Sequence, residues 1–383
     1  MRGLSLLQAP PFVIPFTFFA TGVSFWFLSS LFAVYFSFRG GINLPFLLHS
    51  QTVLFALFVM FGALFQMLPV VVGAVIENPI PKAFIFYFPM LLGAFIFLSG
   101  FFTHKTAITK TGALLLYASV MYGALLMLFH ALKVKSYIPT SRGIKFSLFF
   151  LVVGVSFGVL WLFFPYDVRI FKTHYTFMLF GWVGALIVSV SFQVIEMFFT
   201  TDAYPRIFSM NFPYMLSFSM LLAVFMDGFI FKLPLSLLFF TWSFMTLKRL
   251  YTRRRKATDY TIYFWYLGLL MLCLSLVFFL MDRFMTFLLL FVLFFSSIIA
   301  AMLYRIIPFL VWFHLSNLNP QKAPLMSDVI KPERIRVSFF LHSVFCLLCT
   351  LGLFKLASVV FVVSTLWLAY HTVRGGLLYF ELT

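Results

Sequence analysis

Acidic residues are the first shortage: 10 Asp and Glu stand in a chain of 383 residues. Charge of both signs is scarce, at 10% of residues against about 25% in a water-soluble domain. With 63% of residues hydrophobic, that shortage excludes a soluble enzyme, a nucleic-acid-binding protein and a disordered chain. Cysteine is nearly absent as well, and three in so long a chain give no disulfide framework. Long polar stretches are missing, which leaves the loops no room for a soluble domain. A removable leader is not expected either: the apolar run that starts near the N-terminus continues through Ser37 with no small-residue cleavage pattern. It reads as a first spanning helix.

What remains is an all-α polytopic membrane protein, a single integral membrane domain over 1–383. A bilayer core needs roughly 20 apolar residues per helix. That measure gives twelve spans, at about 12–37, 45–76, 84–103, 112–132, 146–165, 174–199, 211–231, 234–248, 260–281, 284–313, 337–355 and 357–379. The eighth is short, which suggests a shallow tilt or a re-entrant segment. The net charge of +17 belongs in the connecting loops, where Lys and Arg fix orientation against anionic lipid. An even number of spans puts both termini on one side, and the 27 Lys and Arg divide 19 to 8 in favour of that side. Both termini are therefore expected in the cytoplasm, with a bacterial-type inner membrane as the setting.

Three spans share a motif. The second holds Phe65-Gln66-Met67-Leu68-Pro69, the sixth Phe192-Gln193-Val194-Ile195-Glu196, and the tenth Tyr304-Arg305-Ile306-Ile307-Pro308. The copies lie 127 and 112 residues apart, four spans each time, which suggests three arcs of four helices at about 12–132, 146–248 and 260–379. Polar groups inside helices are costly in lipid, so Gln66, Gln193, Glu196 and Arg305 are expected to face the interior. Glu196 is expected to pair with Arg305, a proton relay through Glu196 being the functional alternative.

Seven histidines carry the remaining chemistry. His49 opens the second span and His174 the sixth, at corresponding positions of two arcs, and His104 ends the third at the same external level. Imidazole ligates both heme iron and copper, so converging external histidines suggest a heme or copper site. A helix-end histidine that merely reaches to the interface is the structural alternative. Lys105, Lys110, Arg169 and Lys172 occupy the neighbouring loops, where heme propionates would need them and where water alone would also keep them. On the cytoplasmic side His130, His314, His342 and His371 lie at span ends. His342, Cys346 and Cys349 fall on one helical face, in a spacing that metals use and that membrane helices also fill with small apolar thiols. Trp312 and His314 read as interface anchors.

Twelve spans in three arcs, with histidines at the external starts of the second and sixth, resemble subunit I of the heme-copper oxidase superfamily. The run His174-Tyr-Thr-Phe-Met-Leu-Phe-Gly-Trp through Phe192-Gln193-Val194-Ile195-Glu196-Met197-Phe198, with Thr201 and Tyr204-Pro205 after it, looks most like its NnrS-type members. The resemblance implies that His49 is an axial ligand of a b-type heme and that His174 corresponds to a copper-binding histidine. It also exposes departures: residues 211–231 and 284–300 hold no histidine where oxidases carry copper and heme ligands, and Met178 replaces a tyrosine. Reduction of oxygen or nitric oxide is therefore not expected. At most one heme or copper remains, with an electron-transfer, sensing or cofactor-handling role and a redox partner or other membrane subunits as company. A secondary transporter without redox cofactor, using Gln66, Gln193, Glu196 and Arg305 along its path, is the alternative. A structural subunit of a larger membrane complex is a third.

Overall fold

The computed structural model describes residues 8–383 and contains no strand among them. Helix is what lipid demands, because every backbone N–H and C=O must be satisfied within its own segment. The helices are α1 (Val13–Arg39), α2 (Leu44–Val72), α3 (Pro79–Phe102), α4 (Thr106–Leu132), α5 (Pro139–Phe163), α6 (Val168–Phe199), α7 (Arg206–Phe225), α8 (Phe229–Tyr251), α9 (Tyr260–Leu280), α10 (Phe284–Leu318), α11 (Pro332–Thr350) and α12 (Phe354–Leu382). A single helical turn, Met326–Val329, precedes α11. The chain is an all-α polytopic membrane protein, and eleven of these helices are long and apolar enough to cross a bilayer.

Most helices extend a few residues beyond the expected spans, and the differences at two of them have a clear cause. The eighth is not short: α8 has 23 residues, about 34 Å at 1.5 Å per residue. Lys232 interrupts its apolar run, but the ammonium pairs with Asp282 and lies 5.4 Å from the Phe279 ring centre. The eleventh starts earlier than expected, at Pro332, and carries Glu333, Arg334 and Arg336 in its first turns. Those charges make it the one long helix outside the eleven.

Every fourth helix stands apart. In α2, α6 and α10, which have 29, 32 and 35 residues, 94%, 83% and 83% of the apolar stretch is buried, against 28–56% in the other spans. Two of them depart from α geometry. In α2 the segments Ser50–Leu57 and Leu68–Val72 are π-helical, and in α6 so is Phe177–Gly184. Such wide turns are rare and concentrate at functional sites.

By contacts the chain forms two compact units, one built mainly of Gln66–Lys256 with Met271–Phe291, the other of Pro11–Phe65, Ala257–Leu270 and Val292–Thr383. In the first, α3 and α4 form a hairpin whose backbones nearly touch. A Cβ on Gly112 would fall 2.1 Å from Phe97 N, and one on Gly100 2.3 Å from Thr109 N. Glycine is required there, since without a hydrophobic drive between helices in lipid, close packing is what joins them. The α7–α8 hairpin is tied back by Tyr204, whose hydroxyl lies 2.7 Å from Thr246 Oγ1, and Trp242 Nε1 donates to Ser191 Oγ at 2.9 Å. In the second unit α12 packs on α1 and α11. Thr365 Oγ1 donates to Ser30 Oγ at 3.0 Å, and the Ser37 and Ser358 hydroxyls meet at 2.8 Å. Trp26 stacks on Phe55 at 4.1 Å and donates its indole N–H to Gln51 Oε1 at 2.6 Å.

Candidate functional site

Of the three histidines expected to hold a cofactor, two are oriented by backbone. His49 closes the first α-helical stretch of α2, is half-buried, and its Nδ1 lies 2.8 Å from Pro45 O. His174 belongs to the first unit, and its Nδ1 reaches across to α5, 2.9 Å from Gly154 O. Its ring is seated on Gly158, where a Cβ would come within 2.6 Å of Cε1. A neutral imidazole facing a carbonyl must donate from Nδ1, so the lone pair of each ring sits on Nε2. Metal-binding histidines are commonly oriented in this way. The π segments follow at once, Ser50–Leu57 directly after His49 and Phe177–Gly184 three residues after His174. His104 differs. Helix α3 ends at Phe102, and His104 forms the exposed α3–α4 turn with a left-handed φ of 55°.

Of the cations expected in the neighbouring loops, Lys110 lies in α4 and Arg169 and Lys172 in α6, and two of them have partners of their own. Lys172 is buried and bonds Asp227 and Met226 O, while Lys110 lies 4.7 Å from the Phe163 ring centre. The Lys172 ammonium, by hydrogen bond and then by charge, holds the exposed Asp227 carboxyl below its usual pKa, and Arg169 adds to the effect.

Two expectations about the other histidines are corrected. His342 is not at a helix start: with α11 beginning at Pro332 it lies in mid-helix and is 2% exposed. Its Nε2 lies 2.9 Å from Ser297 Oγ on α10, and Trp26, Phe264 and Phe345 surround the ring with centroids 5.5–6.1 Å away. Cys346 and Cys349 share its buried face, as the spacing implies. His314 is not at its helix end either. It packs among Phe12, Phe313 and Tyr379, because α10 continues to Leu318 and carries it past the expected span end. His130 Nδ1 lies 2.8 Å from Leu126 O, and His371 packs on Trp367 at 4.6 Å. Among the described residues no three His, Cys, Asp or Glu side chains converge into a group that could hold a metal ion.

The polar positions of the shared motif also divide. Gln66 is buried, and its Oε1 has no hydrogen-bond partner among the described residues. Gln193 is half-buried and Glu196 is exposed. Arg305 forms its ion pair with Asp259, and its Nε donates to Thr261 Oγ1 at 3.1 Å, so the expected Glu196–Arg305 pair gives way to another acid. Asp259 precedes α9 by one residue. One of its oxygens accepts from Thr261 N at 3.0 Å and from Thr261 Oγ1 at 2.6 Å, which fixes the carboxylate and turns the other oxygen to Arg305. A search of spans alone passes over it, since Asp259 lies just outside one; the signal was an acid at the entrance to a helix whose neighbour carries an internal arginine.

No protein-family model matches the chain, and no curated protein matches it.

Proposed function

We propose that this chain is a degenerate relative of heme-copper oxidase subunit I, of NnrS-like type, which carries a b-type heme on His49 near the external face of a bacterial-type inner membrane. Its role is electron transfer, sensing or cofactor handling. The observation that carries the reading is the matched construction of α2 and α6: each has, near its start, a histidine whose Nδ1 meets a carbonyl, and each then opens into an eight-residue π segment. The length and burial of α2, α6 and α10 support three arcs of four helices, which is the frame the reading needs. The 19-to-8 division of Lys and Arg supports cytoplasmic termini.

The donor set favours heme over copper. A copper site asks the protein for about three imidazole or thiolate ligands, and the described residues offer no such group. A heme brings its own four nitrogens and asks only for axial ligands, which His49 supplies with its ring already oriented. When bound, the heme would supply a one-electron iron centre, and this chain's part is to orient the axial imidazole and keep water from it. Oxygen or nitric oxide reduction is not proposed, because residues 211–231 and 284–300 hold no histidine.

The test is an oxidised-minus-reduced visible spectrum of the purified protein, with metal analysis, repeated for His49→Ala and His174→Ala. Soret absorbance lost in His49→Ala is expected. Wild-type protein without Soret absorbance would sink the reading, and stoichiometric copper in its place would select a copper site instead. One observation favours a transporter instead: the unsatisfied Gln66 Oε1 lies two residues before the π segment Leu68–Val72, in the most buried helix. Buried polar groups beside irregular backbone line substrate paths in that class. Solute uptake into vesicles abolished by Gln66→Leu, in protein without heme, would select it.

A further inference from the structure

We infer that the end of the α7–α8 hairpin holds an anionic phospholipid, its phosphate met by Lys248, Arg255 and Arg206. The run Lys248-Arg249-Leu250-Tyr251-Thr252-Arg253-Arg254-Arg255-Lys256 contains six cations and no acid. The structure sorts them. Arg249 is turned inward, 4.2 Å from the Tyr204 ring centre, and donates to Ala203 O and Met245 O at 2.9 Å. Arg253 donates to Leu250 O at 3.0 Å, and Lys256 donates to Tyr251 O with its ammonium 5.5 Å from that ring's centre. Arg254 pairs with Asp202 at 2.9 Å, which neutralises the acid of the facing loop. Lys248 and Arg255 remain exposed. Arg206 is exposed too and opens α7, and the bond from Arg254 N to Thr200 O at 3.1 Å ties the loop before it to this run.

The apolar surface leading to these cations identifies the occupant. On α8, Leu237, Phe244 and Tyr251 recur every seven residues on one face and are 55%, 63% and 76% exposed. Lys248 falls on the same face, one turn beyond Phe244. On α7, Ile207, Tyr214 and Phe218 form a second exposed apolar line that starts beside Arg206. An exposed apolar face is where acyl chains lie, and a phenol and an ammonium at its end mark headgroup depth. A surplus of cations at that depth selects a phosphodiester with net negative charge over a zwitterionic one, each Lys or Arg near the surface adding to the attraction. Free phosphate offers the same anion without chains, so the experiment must separate the two.

Full-length protein in a neutral detergent would be titrated with dioleoylphosphatidylglycerol, with dioleoylphosphatidylcholine, or with sodium phosphate, and bound lipid counted by native mass spectrometry. The proposal expects phosphatidylglycerol to be retained over phosphatidylcholine, phosphate not to displace it, and Lys248→Gln/Arg206→Gln/Arg255→Gln to weaken retention roughly tenfold or more. The control Lys105→Gln/Lys110→Gln, at the α3–α4 turn and in the first turns of α4, should retain lipid like the wild type, and thermal unfolding without lipid checks that both variants fold. Equal retention of the two lipids, competition by phosphate alone, or a triple variant that binds like the control would each overturn it.

Discussion

Replacing Asp259 with Asn tests the electrostatics of the second unit at its most exposed weakness, the charge on Arg305. The two side chains are 25% and 18% exposed, so water reaches the pair only in part. Stranding one member of a fully buried pair costs about 3–5 kcal/mol, and partial screening here lowers the expectation to about 2–4 kcal/mol. Asn still accepts from Thr261 N, so the helix cap is kept and the change isolates the charge. Arg305→Met should cost less, about 1–2 kcal/mol, because Asp259 stays bonded at the start of α9, where the helix dipole favours an anion. The double variant should then lie well below the sum of the singles, with a coupling of about 1–3 kcal/mol. Sodium dodecyl sulfate titration in mixed micelles, followed by tryptophan fluorescence, measures all three. A coupling under about 0.5 kcal/mol would refute the reasoning, whatever the single costs.

Gly112→Val should open the α3–α4 hairpin, since even the first added carbon meets Phe97 N at 2.1 Å; overpacking costs of about 1–3 kcal/mol or more are expected in the same titration. Ser297→Ala removes the hydrogen bond to a histidine that is 2% exposed and should cost about 1–3 kcal/mol, whereas Ser297→Ala with His342→Phe should recover part of it. The Lys172–Asp227 pair makes stability depend on pH with a definite sign. Asp227 has a lowered carboxyl pKa, so its contribution is complete above the unfolded-state value and is lost as pH falls through the folded one. Asp227→Asn should therefore flatten the acid limb of a stability-against-pH curve and leave its shape near neutrality unchanged.

Helix number and most helix positions are legible in the sequence, because a bilayer sets a minimum apolar length that chance rarely meets twelve times. Single charges misplace the ends. Lys232 makes α8 look short until Asp282 is found opposite it, and Arg334 and Arg336 push the apparent start of α11 past its true one at Pro332. That second error is why His342 reads as a span-end residue when it lies buried in mid-helix. The shared motif identified Gln66 and Arg305 as internal polar groups, yet the partner of Arg305 lay one residue outside any apolar run. The π segments leave no trace in the apolar pattern, since Ser50–Leu57, which opens on Ser-Gln-Thr, and the wholly apolar Phe177–Gly184 share no composition that would mark a wide turn.

Those wide turns have a consequence for anyone reading α2 as a wheel. A π turn takes more residues than an α turn, so the rotation accumulated between His49 and Gln66 falls behind uniform helical phase. Directions inferred from spacing alone are then wrong on the far side of Ser50–Leu57. Deleting one residue within that stretch would let its turns tighten toward α geometry, so the change is largely absorbed there and the downstream side chains keep nearly their directions.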